Sequence, residues 1–588
     1  MLTSKSLTPL AKVSTQAQLF WLSLSLIISL FFGAISLKEA FRGEFIIQDD
    51  AQQHVFWFWR FVDSELFPND LIADYYQSIA QPGYIFIYKF AAFLGIEPIF
   101  FSKLIPPLLA LITTAYCFYI VLQIFPVPVA GFVSTVLLNQ NIWLKDDLAS
   151  ATARAFLYPL LFAFLYYLLK KSLFPCLASL LLLGLIYPIP LLICAGILLL
   201  RLIKYQNRKL SFSRHKKDYL LSLSGLGVIF LVLLPILLET STYGPTVTAD
   251  VARNMIEFSE EGRTRLFIND PIEFWLYGGR TGFFPVEWED LPAFYFPILA
   301  AIGFSLPLLK KYPNYFPLVQ RVNSNVFVLP QLLLVSTVLF LAAHAVLFKL
   351  YLPSRYSQYS LRIFMAIAAG IVLTVVFDKI FKILLATTQQ KRLAVAISLL
   401  ALFITYPLIL RSQDIGLADP LSYKSGYPTG LYSLLRRQPK DILIASTSSQ
   451  VNRIPALAKR SILVGQEHSI PYHEKYYSQI KKRLLDLIEA QYSPERDTLI
   501  SFIQKYGVDL WLLDKDYLIS PYGDEDIAEE DLRSIDVWLR QFPESKAADL
   551  RAKQGIKPEL LKFVPNCSIF ENEDLILLKA ECILTQSK

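Results

Sequence analysis

The feature that most narrows what this chain can become is a series of uncharged apolar runs, each close to twenty residues long. A helix that crosses the hydrocarbon of a bilayer needs about 20 such residues, with about 17–25 as the usual range. Runs of that kind cover 19–37, 104–125, 127–143, 219–238, 291–309, 325–348 and 393–410. Two shorter ones, 155–169 and 363–377, have flanking residues that complete a crossing. With 54% hydrophobic and 18% charged residues among 588, the composition excludes a soluble globular protein and points to an α-helical polytopic membrane protein.

The stretch 172–200 is uncharged throughout but interrupted by "YPIP" at 187–190. Charge decides how it is threaded, because cytoplasmic loops collect Lys and Arg. If the chain turns back at Pro188 and Pro190, the "KK" pair at 170–171 and the basic clusters in 201–217, 310–321 and 379–392 all fall on one side. A single span would scatter them over both. The sequence therefore predicts two short helices there and about eleven transmembrane helices in all, with the N-terminus cytoplasmic and the C-terminus outside. Lys5 and Lys12 precede the first run, and no small-x-small cleavage signal follows it, so it reads as an uncleaved span.

The same parity divides the chain into a transmembrane domain, 1–411, and an extracytoplasmic domain, 412–588. It puts 38–103, 144–154, 239–290 and 349–362 in outer loops. Within the first loop, "PGYIFIYKFAAFLGI" is apolar but short and carries Lys89, which suits an interfacial or re-entrant helix. After Arg411, "DILIAS" and "SILVG" read as buried strands and "EKYYSQIKKRLLDLIEAQY" as an amphipathic helix. "PERDTLISFIQKYGVDLWLLD" reads as a helix entering a strand, and "CSIFENEDLILLKAEC" as a hairpin turning near Asn572 and Glu573. That alternation predicts a soluble α/β domain. The five cysteines show no metal-ligand spacing. Cys567 and Cys582 flank the hairpin in a register that does not set them opposite each other, which leaves their pairing open. The formal net charge of +7 resides in the loop clusters, so membrane topology accounts for it and no nucleic-acid partner is implied.

Chemistry is concentrated in "FIIQDDAQQHVFWFWRF", residues 45–61. Asp49 and Asp50 follow the first span on its outer side, and Phe56 to Trp59 have a composition suited to the headgroup level. An acid held there reaches the head group of a lipid-borne substrate; the alternative is that Asp50 caps the following helix while Asp49 is solvated. Two adjacent carboxylates also repel, which predicts one raised pKa. His54 lies one helical turn beyond Asp50, placed to orient the acid or simply to cover a surface. The second outer loop, "KDDLASATARAF", offers Asp146, Asp147 and Arg154, as oxygen ligands for Mg2+ or Mn2+ or as ordinary helix caps. In "KLYLPSRYSQYSLRIF", Arg355 and Arg362 stand at the depth of a lipid phosphate, which a planar guanidinium binds bidentately. Snorkelling interfacial anchors are the alternative.

The acidic pair after the first span, the aromatic segment, and then "QPGYIFIYKFAAFLGIEPIFFSKLIPPLLALITTAYCFYIVLQIF" together resemble the opening of the GT-C integral membrane glycosyltransferases. These include oligosaccharyltransferases, protein O-mannosyltransferases and lipid A aminoarabinose transferases. The resemblance covers the pattern of roughly the first 170 residues and the general layout of the rest. It implies transfer of a sugar from a polyprenyl-phosphate donor to a glycan, lipid or protein acceptor, with inversion and with Asp49 or Asp50 as the general base. It also implies an arginine such as Arg355 on the donor phosphate. In oligosaccharyltransferase-like members, acids of the second loop help bind a divalent cation; here Asp-Asp replaces Asp-x-Asp, which weakens that expectation. A bacterial plasma membrane is the expected location. The competing class, a transporter or flippase of lipid-linked sugars, predicts ionisable residues inside the spans and a repeat between the two halves. Apart from His344 the runs are nearly free of such residues, and no repeat is evident.

Overall fold

The computed structural model describes residues 14–143, 146–206, 209–238, 241–285, 295–384, 421–522 and 535–586. The first apolar run is a helix, α1 (Thr15–Ala40), opened by Ser14, whose hydroxyl accepts the Ala17 N–H at 3.1 Å. It leads into a short strand, β1 (Ile46–Gln48), and a single helical turn and a half, α2 (Asp49–His54). An amphipathic helix, α3 (Pro82–Phe93), precedes the proline-containing α4 (Pro98–Ile124). The bundle continues through α5 (Pro128–Ile142), α6 (Leu157–Lys170), α7 (Leu173–Ile186), α8 (Leu191–Arg201), α9 (Lys216–Leu238), α10 (Tyr295–Phe304), α11 (Val328–Ala345) and α12 (Ser354–Leu384). Among the described residues six helices are long and apolar enough to cross a membrane, and α7 and α8 are shorter apolar helices. The chain is an integral membrane protein.

The stretch 172–200 does split at "YPIP": α7 stops at Ile186 and α8 starts after Pro190, because proline has no N–H to continue the ladder and its ring collides with the preceding turn. The expected run 393–410 lies outside the described residues. The expected loop 349–362 is shorter than predicted. Its polar sequence "SRYSQYS" is already helical from Ser354, with Ser354, Ser357, Gln358 and Ser360 buried, so both Arg355 and Arg362 belong to α12. Of these hydroxyls, Ser354 Oγ donates to the Gly279 carbonyl at 3.0 Å.

Inside the bundle, helices meet through small and hydroxyl-bearing residues, as packing in lipid favours. Thr135 donates to Ser25 at 2.8 Å and the Asn139 amide to Thr114 at 2.9 Å. Gly370 of α12 lies against α5 so closely that a Cβ would come within 2.7 Å of the Ser134 Cα.

The two ends of the bundle differ. At one, here the basic end, the Asn323 N–H meets the Ile124 carbonyl at 3.0 Å, Lys171 pairs with Asp218 at 2.7 Å, and the Lys379 ammonium stands 4.1 Å from the Tyr315 ring. At the other, the site end, β1 pairs antiparallel with β2 (Tyr423–Ser425), joining the segment after the first helix to the C-terminal part of the chain. There, α3 shows Phe86, Phe90 and Phe93 outward and buries Tyr84, Tyr88 and Ala91, the two-faced pattern of an interfacial helix.

Beyond β2 a five-stranded mixed sheet is formed by β3 (Leu443–Ser446), β4 (Ser461–Ile462), β5 (Leu510–Asp514), β6 (Ser568–Glu571) and β7 (Leu575–Lys579), in the order β4-β3-β5-β7-β6. β3 runs parallel to β4 and β5, while β7 runs antiparallel to β5 and β6. The amphipathic run is α13 (Glu474–Tyr492), and the helix before β5 is α14 (Arg496–Tyr506), closed by Gly507 in the left-handed region. The hairpin turns between Glu571 and Leu575. Cys567 and Cys582 form a disulfide, Cα to Cα 5.5 Å, because they stand in the helices flanking the hairpin rather than in the paired strands, so strand register does not govern them.

Candidate functional site

The acids open α2, but neither caps it. Gln48 is the N-cap, its side-chain oxygen accepting the Ala51 N–H at 3.1 Å, which removes the capping account of Asp50. Successive residues on a helix point about 100° apart, so the two carboxylates diverge. Asp49 accepts the Gln52 amide at 2.8 Å, and its own N–H donates to the Ser422 carbonyl at 2.9 Å. Asp50 is ion-paired with Arg154, which arrives from the loop between α5 and α6.

Arg154 also holds Asp147, Nε to Oδ1 at 2.9 Å. The same carboxylate faces Arg362 at 3.5 Å and Arg355 at 3.9 Å, both from the first turns of α12. Four sequence-predicted residues from three segments thus meet around Asp147. Exposure grades them: Asp147 and Arg362 side chains are 2% exposed, Arg355 11%, Arg154 14% and Asp50 29%. Asp50 is the carboxylate of this group that faces open space. Arg362 gives its second donor to the Pro285 carbonyl at 3.2 Å, and Arg355 donates to the Tyr359 hydroxyl at 3.1 Å.

Burial pushes the Asp50 carboxyl upward, but the Arg154 guanidinium, with His54 and Arg355 behind it, outweighs that and holds it below the ordinary carboxylate value. The expected rise is therefore corrected: an arginine, not the neighbouring acid, dominates its surroundings. Burial lowers His54 in turn, partly opposed by Asp50, and its ring packs edge-on against Tyr76 at 5.3 Å. The side chain of Asp146 lies outside the described residues, as do Glu287 and Glu289. Asp147 and Asp50 do not suit a divalent cation, since their oxygens face three guanidinium groups and a fourth positive centre there would be repelled. Among the described residues no cluster of three His, Cys, Asp or Glu side chains is placed to hold a metal.

The aromatic segment is also corrected. Phe56, Trp57, Phe58 and Trp59 do not lie at a headgroup surface but are buried. Phe58 stacks on Tyr88 at 4.3 Å, Phe56 packs edge-on to His468 at 5.4 Å, and the Trp59 N–H reaches the Ala456 carbonyl at 3.1 Å. They form the floor between α2, α3 and the C-terminal segment. His468 and His473 are structural: burial pushes His468 down to about 3, and His473 hydrogen-bonds the Tyr75 hydroxyl at 2.9 Å.

Within the outer loop 239–290, the described residues 241–285 are fastened by a Val247 N–H to the Tyr472 carbonyl at 2.9 Å and by a Ser354 N–H to the Arg280 carbonyl at 3.2 Å. Sequence reasoning missed Gln53, Arg263 and Glu467, which meet beneath α2; the Gln53–Glu467 contact spans 414 positions, and no local pattern announces it.

No protein-family model matches the chain, and no curated protein matches it. Among solved structures it is similar to the archaeal oligosaccharyltransferase AglB from Archaeoglobus fulgidus in complex with an inhibitory peptide and a dolichol-phosphate, with a TM-score of 0.48 and 12% identity over 85% of this chain and 70% of that one. It is also similar to ArnT from Cupriavidus metallidurans in the apo state, with a TM-score of 0.46 and 12% identity over 96% of this chain and 98% of that one. For ArnT bound to undecaprenyl phosphate the values are 0.45 and 11%, over 95% and 98%.

Proposed function

We propose that this integral membrane protein transfers a sugar from a polyprenyl-phosphate donor to an acceptor hydroxyl or amine at the site end of the bundle, with Asp50 as general base. The observation that carries this reading is the placement of one partly open carboxylate, Asp50, beside a buried arginine cluster at the mouth of the apolar helices. A lipid phosphate lodged by its tail among those helices brings its charge to that depth, and Arg355, less enclosed than Arg362, is the group to meet it.

The acceptor oxygen or nitrogen attacks the anomeric carbon as the bond from that carbon to the phosphate oxygen breaks. The phosphate leaves with the bonding pair, and the acceptor proton passes to Asp50. A single displacement inverts the anomeric centre. The lowered pKa of Asp50 keeps it ionised at neutral pH, and a weak base suffices because the acceptor proton becomes acidic once its new bond to carbon forms. Arg355 offsets the charge growing on the leaving phosphate. Arg362 holds Asp147, and Asp147 in turn orients Arg154 and Arg355. Asp49 ties the start of α2 to the Ser422 carbonyl through its backbone N–H, while its carboxylate accepts the Gln52 amide within the helix.

Positive-inside reasoning supports a cytoplasmic basic end and an extracytoplasmic site end, as in a bacterial plasma membrane with 412–588 as its outer domain. The chain stands at the basic end at Lys379 and at the site end at Ser422.

The test is sugar release from radiolabelled polyprenyl-phosphate sugars by membranes carrying wild type, Asp49→Asn or Asp50→Asn at matched expression. Loss confined to Asp50→Asn, with donor still bound, is the expected outcome. Equal turnover in both variants and wild type would remove Asp50 from the mechanism.

A further inference from the structure

The six residues of α2 do not hold themselves in place, since a helix this short is unstable without tertiary contacts. Besides the Asp50–Arg154 ion pair, it is tethered by Gln53, three residues beyond Asp50 and buried. The Gln53 amide donates to Glu467 Oε2 at 2.9 Å and also to the Glu467 carbonyl. The same Oε2 accepts Arg263 Nη2 at 2.6 Å, while Arg263 Nε donates to the Gln466 carbonyl at 3.2 Å. The Glu467 N–H is anchored to Asn452 Oδ1 at 3.1 Å. One carboxylate therefore joins three distant segments: α2, the 241–285 segment and the C-terminal part of the chain.

The junction is only partly open, with Glu467 25% and Arg263 16% exposed, and both hydrogen bonds to that oxygen are charge-assisted. Its neighbour His468 adds an apolar face, packed edge-on to Phe56 and Tyr76, while Tyr76 packs against His54. The peptide 466–468 thus meets α2 at Gln53 and the aromatic segment just beyond it at Phe56.

We infer that Glu467 is a positioning residue: through Gln53 it sets the direction of α2, and so of the Asp50 carboxylate, and through Arg263 it fastens the 241–285 segment to the same point. Its kinetic consequence rests on the transfer reading above; its structural consequence does not.

The experiment uses the full chain in lipid nanodiscs, comparing wild type, Gln53→Ala, Glu467→Gln and the double variant. Two quantities are read: kcat with the donor KM, and amide hydrogen exchange over 46–58. Glu467→Gln is expected to lower kcat about tenfold with KM within about twofold, and to speed exchange over α2. The double variant should lose no more than the worse single one, as for two groups acting through one contact. Glu467→Asp, which keeps the charge but shortens the reach, should fall between wild type and Glu467→Gln, and it serves if the latter does not fold. Unchanged kcat and exchange, or losses that multiply in the double variant, would overturn the inference. Wild type without turnover would overturn the transfer reading, and exchange alone would then decide whether Glu467 holds α2.

Discussion

The two ends of the helix bundle carry charge in opposite ways. At the basic end Lys171, 40% exposed, meets a carboxylate, Asp218, that is 4% exposed and also accepts the Ser213 hydroxyl at 2.7 Å. At the site end Asp147 and Arg362 are almost sealed from water, and Arg154, Arg355 and Asp50 are added to the same cluster. A charge in water needs no partner, whereas a charge taken out of it is tolerable only when paired and hydrogen-bonded. At the basic end Lys171 keeps its water and its carboxylate partner is enclosed, whereas at the site end both signs of charge are enclosed together and their geometry matters.

Substitutions break that contrast in a graded order. The largest expected effect is that of Asp50→Asn, which should lower kcat by about two to four orders of magnitude, the usual range for a general base, with donor binding retained. Next is Asp147→Asn, which leaves Arg154, Arg355 and Arg362 facing one another and should destabilise the fold by about 3–5 kcal/mol, read as a fall in unfolding temperature in nanodiscs.

The pH dependence sharpens the comparison further. Because Asp50 is held below the ordinary carboxylate value, kcat/KM should stay flat from neutral pH down through the ordinary carboxylate range, and its acid limb should lie lower still. The stability contributed by the Asp50–Arg154 pair has the same sign: complete above the unfolded carboxylate pKa and lost as pH falls through the lowered one. Arg154→Met leaves burial unopposed by its main counter-charge, so the acid limb should move to higher pH. The smallest effect is that of Lys382→Met at the basic end, whose pair with Asp378 leaves both side chains partly exposed: about 1 kcal/mol or less with turnover unchanged.

What the sequence reveals follows from how local each feature is. Apolar runs, the proline break at 187–190, the hairpin of β6 and β7 and the amphipathic α13 are patterns of near neighbours, and among the described residues they appear where they were expected. Asp50, Asp147, Arg154, Arg355 and Arg362 were recognisable as residues out of place beside lipid. Their mutual pairing was not, because Arg362 and Asp147 stand 215 positions apart. The buried aromatics at 56–59 were misplaced for a related reason: a Trp- and Phe-rich stretch suits a membrane surface and a protein interior equally well, and only the distant residues around Ala456 and His468 decide between them. Gln53 and Glu467 left no trace, since a glutamine in a polar stretch and a glutamate beside a histidine look like solvated residues until the fold brings them together.

The pairing of β1 with β2 also imposes an order of manufacture. Arg42, at the start of the β1 segment, and Tyr423 of β2 are 381 residues apart. At about 5–20 residues per second, a ribosome that has released the first segment works for roughly 20–75 s before its partner strand exists. Throughout that interval the acid-bearing turn is outside its frame, so a nascent or truncated chain has its helices inserted and the Asp50 carboxylate unaimed. That turn gains its partner strand only once the chain has grown to Tyr423 of its 588 residues.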